Sequence, residues 1–135
     1  KIHNAIDTEM KKVRYISKRY KKVIHIYDPV YKLNYWYFDV TSAQEARQLS
    51  KHMKFEMKID DNQSGRFEVH DEGKDGPIGL LWAKDRLPEL LAHECCHAAF
   101  WAIGERRMEI SIKNDEAICY YVSFLMEEIR RQRSK

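Results

Sequence analysis

Apolar residues recur at three- and four-residue spacing in several segments, which is the period of an amphipathic helix. The pattern predicts an N-terminal helix over residues 4 to 21, with basic residues between the apolar positions. It also predicts helices over 43 to 53, 86 to 103 and 115 to 131. The second segment opens with Ser42 and has Glu45 three residues later, the signature of a capping box. Asp85 is expected to cap the third helix, with Pro88 tolerated in its first turns and Gly104 suited to its end.

Alternating or β-branched and aromatic runs separate these helices. "VIHIYDPVYKLNYWYFDV" predicts two strands, 22 to 27 and 31 to 40, joined by a turn at Asp28-Pro29. "KFEMKID" and "RFEVHDE", separated by the turn sequence "NQSG", predict a hairpin over 54 to 72, and "LLWAK" predicts one more short strand. We therefore expect a single α+β domain over 1 to 135, with a small mixed or antiparallel sheet followed by a pair of helices.

Charge and cysteine content limit the functional classes. The net charge of +3 is too small to indicate a nucleic-acid partner by itself, but basic residues crowd 11 to 22, where Tyr15 and Tyr20 lie between them. Three cysteines, an odd number, make a poor disulfide framework and favour a reducing, cytoplasmic environment. No apolar run approaches the length of a membrane span, so we expect no membrane partner.

The sequence "LLAHECCHAAFWAIG" carries the main chemical signal. His93 and His97 are four residues apart, so on a helix they share one face and can direct ring nitrogens at one point. Neutral imidazole at such a point typically binds Zn²⁺, and Glu94 between them is placed to act on a metal-bound water. A metal would also satisfy two histidines that this apolar segment is expected to bury.

A catalytic zinc site needs a third protein ligand. No histidine follows His97, and Phe100 stands where a HExxHxxGxxH pattern needs glycine, so the remaining candidates are acidic. Glu116 opens the last helix, and the intervening chain is long enough for that helix to return antiparallel beside the histidine pair. Asp115, its neighbour, is the other candidate.

The segments "HECCH" and "NDEAICYY" resemble the gluzincins, zinc metallopeptidases in which a helix after the HExxH helix supplies a glutamate. The resemblance covers about residues 85 to 125, and the small size is similar to compact metallopeptidase domains of phages and mobile elements, including the ImmA/IrrE metallopeptidases. It implies a zincin-like fold and Zn²⁺ on His93, His97 and Glu116, with Glu94 as general base. Asp115 as the ligand would instead resemble the aspzincins.

The resulting expectation is zinc-dependent hydrolysis of a peptide bond in a peptide or protein substrate. The oxyanion formed in that reaction needs a further donor, for which Tyr120 and then His70 are the candidates. The strand "RFEVHDE" is expected to lie at a sheet edge and to pair with an extended substrate.

Two alternatives stay open. In the first, Cys96 and Cys119 join the two histidines in a closed structural zinc site without catalysis. In the second, the chain is a zinc-stabilised binding module that contacts nucleic acid or a protein through the basic N-terminal helix.

Overall fold

A computed structural model describes residues 22–71 and 76–133. The predicted helix over 4 to 21 lies outside the described residues. The strands are β1 (Val23–Asp28), β2 (Leu33–Phe38), β3 (Gly65–Asp71) and β4 (Pro77–Ala83). The helices are α1 (Ala43–His52), α2 (Pro88–Glu105) and α3 (Asp115–Arg133). The expected α+β class is confirmed, because the described residues form a four-stranded mixed sheet with three helices.

The strand order is β1-β2-β4-β3, so β3 is an edge strand. β1 and β2 form the predicted antiparallel hairpin, with Val23 opposite Phe38 and Asp28 opposite Leu33. β4 lies parallel to β2, and β3 is antiparallel to β4. β4 is thus an interior strand, which explains why its segment reads as a continuous apolar run rather than an alternation.

The predicted hairpin over 54 to 72 is wrong. Residues 55 to 60 form no strand, and β3 pairs instead with β4. The alternation in "KFEMKID" is nevertheless real, because Phe55, Met57 and Ile59 are buried while the residues between them are exposed. The segment packs its apolar side chains into the core as an extended chain, and side-chain alternation does not specify which strand a backbone pairs with.

The sheet is covered on both faces. Tyr35 and Tyr37 of β2 point into a core shared with α2 and α3, whereas Trp36 and Phe38 point into a second core shared with α1. All four side chains are buried, as expected for an interior strand with period-two alternation. The α2 and α3 pair therefore lies on one face of the sheet and α1 on the other.

The start of α1 follows the prediction in part. The Ser42 hydroxyl accepts a hydrogen bond from the Glu45 backbone N–H at 3.1 Å. The Glu45 carboxylate accepts from the backbone N–H and hydroxyl of Thr41, both at 3.2 Å, so it closes the turn one residue earlier than a capping box would.

The start of α2 differs from the prediction. Asp85 does not cap this helix; it lies in the short 3-10 turn Lys84–Arg86 with φ of 56°. The N-cap position is Leu87, which has no side-chain cap, and Pro88 occupies the first turn. Pro88 has no N–H that needs an acceptor, and its ring fixes a φ suited to the first turn of a helix.

The predicted helix pair is confirmed, because α2 and α3 both pack into the core on the same face of the sheet. Pro88 and Leu91 at the start of α2 line one cavity together with Arg130 and Arg133 at the end of α3, so the helices are antiparallel. Within the described part of the chain, no helix has the length and apolar character needed to cross a bilayer.

Candidate active site

His93 and His97 meet on α2, as their spacing predicts. Their Nε2 atoms are 3.2 Å apart, with ring centroids separated by 4.8 Å and ring planes at 81°. Two unprotonated nitrogens at this distance would repel each other through their lone pairs. The geometry therefore requires a proton or a cation between the two nitrogens.

The burial of this region differs from the expectation. Both histidines are exposed, whereas Glu94 between them is only 7% exposed. Successive helix positions are about 100° apart, so a residue adjacent to the histidine face turns toward the sheet. It is therefore the Glu94 carboxylate that needs a favourable interaction to offset the cost of its burial, whereas water can solvate the two exposed imidazoles.

The pair fits two ligands of a zinc ion. Imidazole nitrogens that bind tetrahedral Zn²⁺ at about 2.0–2.1 Å are roughly 3.3–3.4 Å from each other. The observed Nε2 separation of 3.2 Å is close to that value. The open side of the pair faces solvent, so the remaining coordination positions are accessible.

Glu94 packs against the first residue of the edge strand. A Cβ atom built on Gly65 would lie 3.2 Å from Glu94 Cγ and 3.3 Å from Oε1. Burial raises the pKa of the Glu94 carboxyl, and nearby His97, His93 and Arg66 oppose part of that rise. A raised pKa brings a carboxylate closer to the range in which it exchanges protons near neutrality.

An open cavity of about 360 Å³ adjoins this carboxylate. Its walls are Gly65, Arg66 and Phe67 from β3, with Glu94 and His97 from α2. The Arg66 guanidinium pairs with the Glu68 carboxylate on the strand face opposite to Phe67, so the cavity brings together a buried carboxylate and an imidazole beside the edge of the described sheet. It is large enough for a few atoms of a substrate and polar enough to hold water.

Glu116 and Asp115 are not gathered with the histidines. Both are exposed, and among residues 22–71 and 76–133 no three His, Cys, Asp or Glu side chains are placed to hold a metal together. The reason is that the histidine pair and the two acidic residues lie at different heights along the antiparallel helices. His97 is eight residues before the end of α2 and Glu116 is the second residue of α3, an offset of roughly 10 Å along the helix axis.

The described residues also do not bring together the ligands of the alternative zinc site that uses cysteines. Cys96 and Cys119 are exposed free thiols, and Cys95 is buried in the core. Neither exposed thiol forms a three-ligand group with the histidine pair among the described residues.

His70 lies away from the histidine pair. Phe67 points to the side of α2, where it contacts Trp101 at 5.8 Å between ring centroids. His70 is three positions further along the strand and therefore points to the opposite face. There its Nε2 is 3.0 Å from the Glu68 carboxylate, and its ring contacts Phe55.

Tyr120 is also directed elsewhere. Its side chain is 71% exposed and lines a separate cavity with residues of the turn that follows β1. The i, i+4 spacing from Glu116 does place both residues on one exposed side of α3, but that side does not meet the histidine pair.

Gly65 and Arg66 are site residues that the sequence analysis missed. Gly65 was part of a segment that predicts a turn, and Arg66 was the first residue of a predicted strand. A glycine that opens a strand can mark a close approach of another group to the backbone, and this is its role beside Glu94.

No family model, curated protein sequence or solved structure matches this chain.

Proposed function

We propose that the chain is a zinc-dependent peptidase with a zincin-like arrangement, in which His93 and His97 bind the metal and Glu94 is the general base. The observation that carries the proposal is the 3.2 Å separation of the two Nε2 atoms on a solvent-facing helix surface. The HExxH spacing supplies the chemical logic, because among the described residues Glu94, between the two ligands, is the only buried carboxylate beside them.

The metal would supply Lewis acidity, acidifying water and polarising a peptide carbonyl. Glu94 would accept the proton of the attacking water and pass it to the leaving amine. The low-polarity packing against Gly65 raises the proton affinity of Glu94, which favours this acceptor role. Arg66 lines the same cavity, and its guanidinium, which pairs with Glu68, also adds positive charge near Glu94.

The edge strand offers a place for the substrate. β3 pairs with β4 on one side, and its other backbone edge has no partner strand in the described sheet. An extended peptide can add to such an edge through main-chain hydrogen bonds. Gly65 and Arg66 at the start of β3 also line the cavity beside Glu94, so a peptide bound along β3 would pass the proposed base.

Among the described residues, no third protein ligand stands beside the histidine pair. Glu116, or Asp115 beside it, would have to move along α2 by roughly two helical turns to reach the histidine pair. Glu116→Gln and Asp115→Asn therefore form part of the test. If Glu116 is the ligand, its substitution lowers zinc affinity, whereas Asp115→Asn leaves affinity unchanged.

Zinc analysis after dialysis against Zn²⁺ tests the metal site. Wild type is expected to retain one equivalent, and His93→Ala and His97→Ala are expected to retain none. His52→Ala, which removes an exposed histidine from α1, is the matched control and should bind as wild type does. Zinc retention that is equal in wild type and both site variants would reject the ligand assignment.

The base assignment needs a separate measurement. Glu94→Gln preserves the side-chain shape and should leave zinc binding intact while abolishing cleavage of any peptide that wild type hydrolyses. A Glu94→Gln protein that cleaves at the wild-type rate would reject Glu94 as the base. Binding of a target without cleavage by either protein would favour the binding-module alternative.

A further inference from the structure

A second cavity, apart from the histidine pair, has mainly aromatic walls. It has a volume of about 530 Å³ and lies between α3 and the turn that follows β1. Its lining includes Tyr31, Tyr120, Tyr121 and Phe124 together with the buried Asp28. We call it the aromatic cavity. None of these residues adjoins the histidine pair.

The rings of the aromatic cavity form a continuous wall. Tyr31 stacks on Tyr121 with centroids 5.6 Å apart and planes at 25°. Phe124 packs against Tyr121 at 5.9 Å with a tilt of 53°. Tyr120 is largely exposed, so its ring is available at the rim. Aromatic walls of this kind present π faces to a bound group.

Asp28 is a buried charge whose observed partners are neutral. The residue is only 2% exposed to solvent. One carboxylate oxygen accepts from the backbone N–H groups of Val30 at 2.8 Å and Tyr31 at 3.2 Å. The other accepts from the Tyr121 hydroxyl at 2.8 Å. Among the described residues no Lys, Arg or His forms an ion pair with it.

A buried carboxylate without a counter-charge is costly, and a bound cation would reduce that cost. Aromatic rings attract cations through their negative π faces, most strongly those whose apolar substituents lower the cost of desolvation. We propose that the aromatic cavity binds a small organic cation, namely an alkylated ammonium group. The negative charge of Asp28 selects for the positive charge of that ligand, and the apolar walls select for its methyl groups.

A metal cation fits this cavity less well, because both Asp28 oxygens already accept hydrogen bonds and the remaining walls are mainly carbon. An anion is disfavoured, because Asp28 is the only charged side chain among the described residues that line the cavity. The inference does not depend on the zinc site, so either can fail without the other.

The test is a titration followed by NMR of the backbone amides, with choline as the probe. Its uncharged isostere 3,3-dimethylbutan-1-ol is the matched control ligand. Choline is expected to shift amides of the turn after β1 and of the first half of α3, with a dissociation constant in the millimolar range. The uncharged isostere is expected to bind at least threefold more weakly. Equal shifts from both ligands would show a merely apolar pocket, and no shifts from choline would also overturn the proposal.

Variants separate the aromatic contribution from the fold. Tyr120→Ala should weaken choline binding about two- to fivefold, the range of one cation–π contact at a partly exposed ring. Tyr120→Phe keeps the ring and should bind as wild type does. Tyr27→Ala removes an exposed aromatic ring that does not line the cavity and should have no effect. Equal affinity in Tyr120→Ala and wild type would contradict the assignment of this rim residue and with it the proposed cavity.

Discussion

Gly65 packs closely against Glu94, so Gly65→Ala is the most informative single substitution for the structure of this site. The added Cβ would lie 2.9 Å from the Trp82 carbonyl oxygen and 3.2 Å from Glu94 Cγ. The first contact is with backbone of β4, opposite the start of β3, and cannot be relieved by turning a side chain. The second can be relieved only if Glu94 moves away from β3.

The expected cost follows from these two contacts. Inserting a methyl group into a packed site typically destabilises a protein by about 1–3 kcal/mol. Replacing glycine also restricts the unfolded chain, which offsets about 0.4–1 kcal/mol of that loss. We therefore expect Gly65→Ala to lower the free energy of unfolding by about 1–2 kcal/mol. For a domain of this size, the melting temperature should fall by about 3–8 °C.

A double-mutant cycle isolates the contact with Glu94. Truncation of Glu94 to Ala removes Cγ and Oε1, so Gly65→Ala should cost about 0.5–1 kcal/mol less in that background. Denaturant unfolding of the four proteins gives the coupling. Gly104→Ala is the control, because its added Cβ has no neighbour within 4 Å and lies in α2, where alanine stabilises a helix. An identical cost of Gly65→Ala in both backgrounds would refute the contact with Glu94.

Three further results are expected. Tyr121→Phe removes the hydroxyl that donates to buried Asp28 and should lower the free energy of unfolding by about 1–3 kcal/mol in denaturant unfolding, whereas Tyr120→Phe on the exposed side should change it little. The pKa of Glu68 is lowered because hydrogen bonds from His70, the Lys58 backbone and Arg66 outweigh the effect of burial. Its contribution to stability is therefore present above its usual pKa of 4.5 and lost as the pH falls through the lower folded-state pKa, so Glu68→Gln should flatten the pH dependence of unfolding below pH 4.5. Leu125→Ala should cost about 2–5 kcal/mol because this side chain is fully buried between α3 and the sheet, and an unchanged melting temperature would contradict that packing.

The fold was predictable where one segment contains the whole signal. The helical period located α2 and α3 to within two residues at each end, and the aromatic and β-branched run located β1 and β2. Strand pairing was not predictable in the same way. β3 pairs with β4, the next strand along the chain, and the alternation in "KFEMKID" contains no signal for a partner strand.

The site was predictable to the same extent. The four-residue spacing of His93 and His97 fixes their proximity on any helix, and the structure has it. The position of Glu116 depends on the length of the connection and on the level at which α3 returns, which spacing alone does not determine. The direction of His70 depends on the phase of β3 relative to the sheet, and that phase is set by Phe67 packing toward α2.

X-ray absorption at the zinc edge, on protein loaded with one equivalent of Zn²⁺, tests the proposed metal site most directly. Two imidazole nitrogens are expected at about 2.0–2.1 Å, and one of them is expected to disappear in His97→Ala. A spectrum without imidazole scattering, or protein that retains no zinc, would contradict the assignment of His93 and His97 as metal ligands.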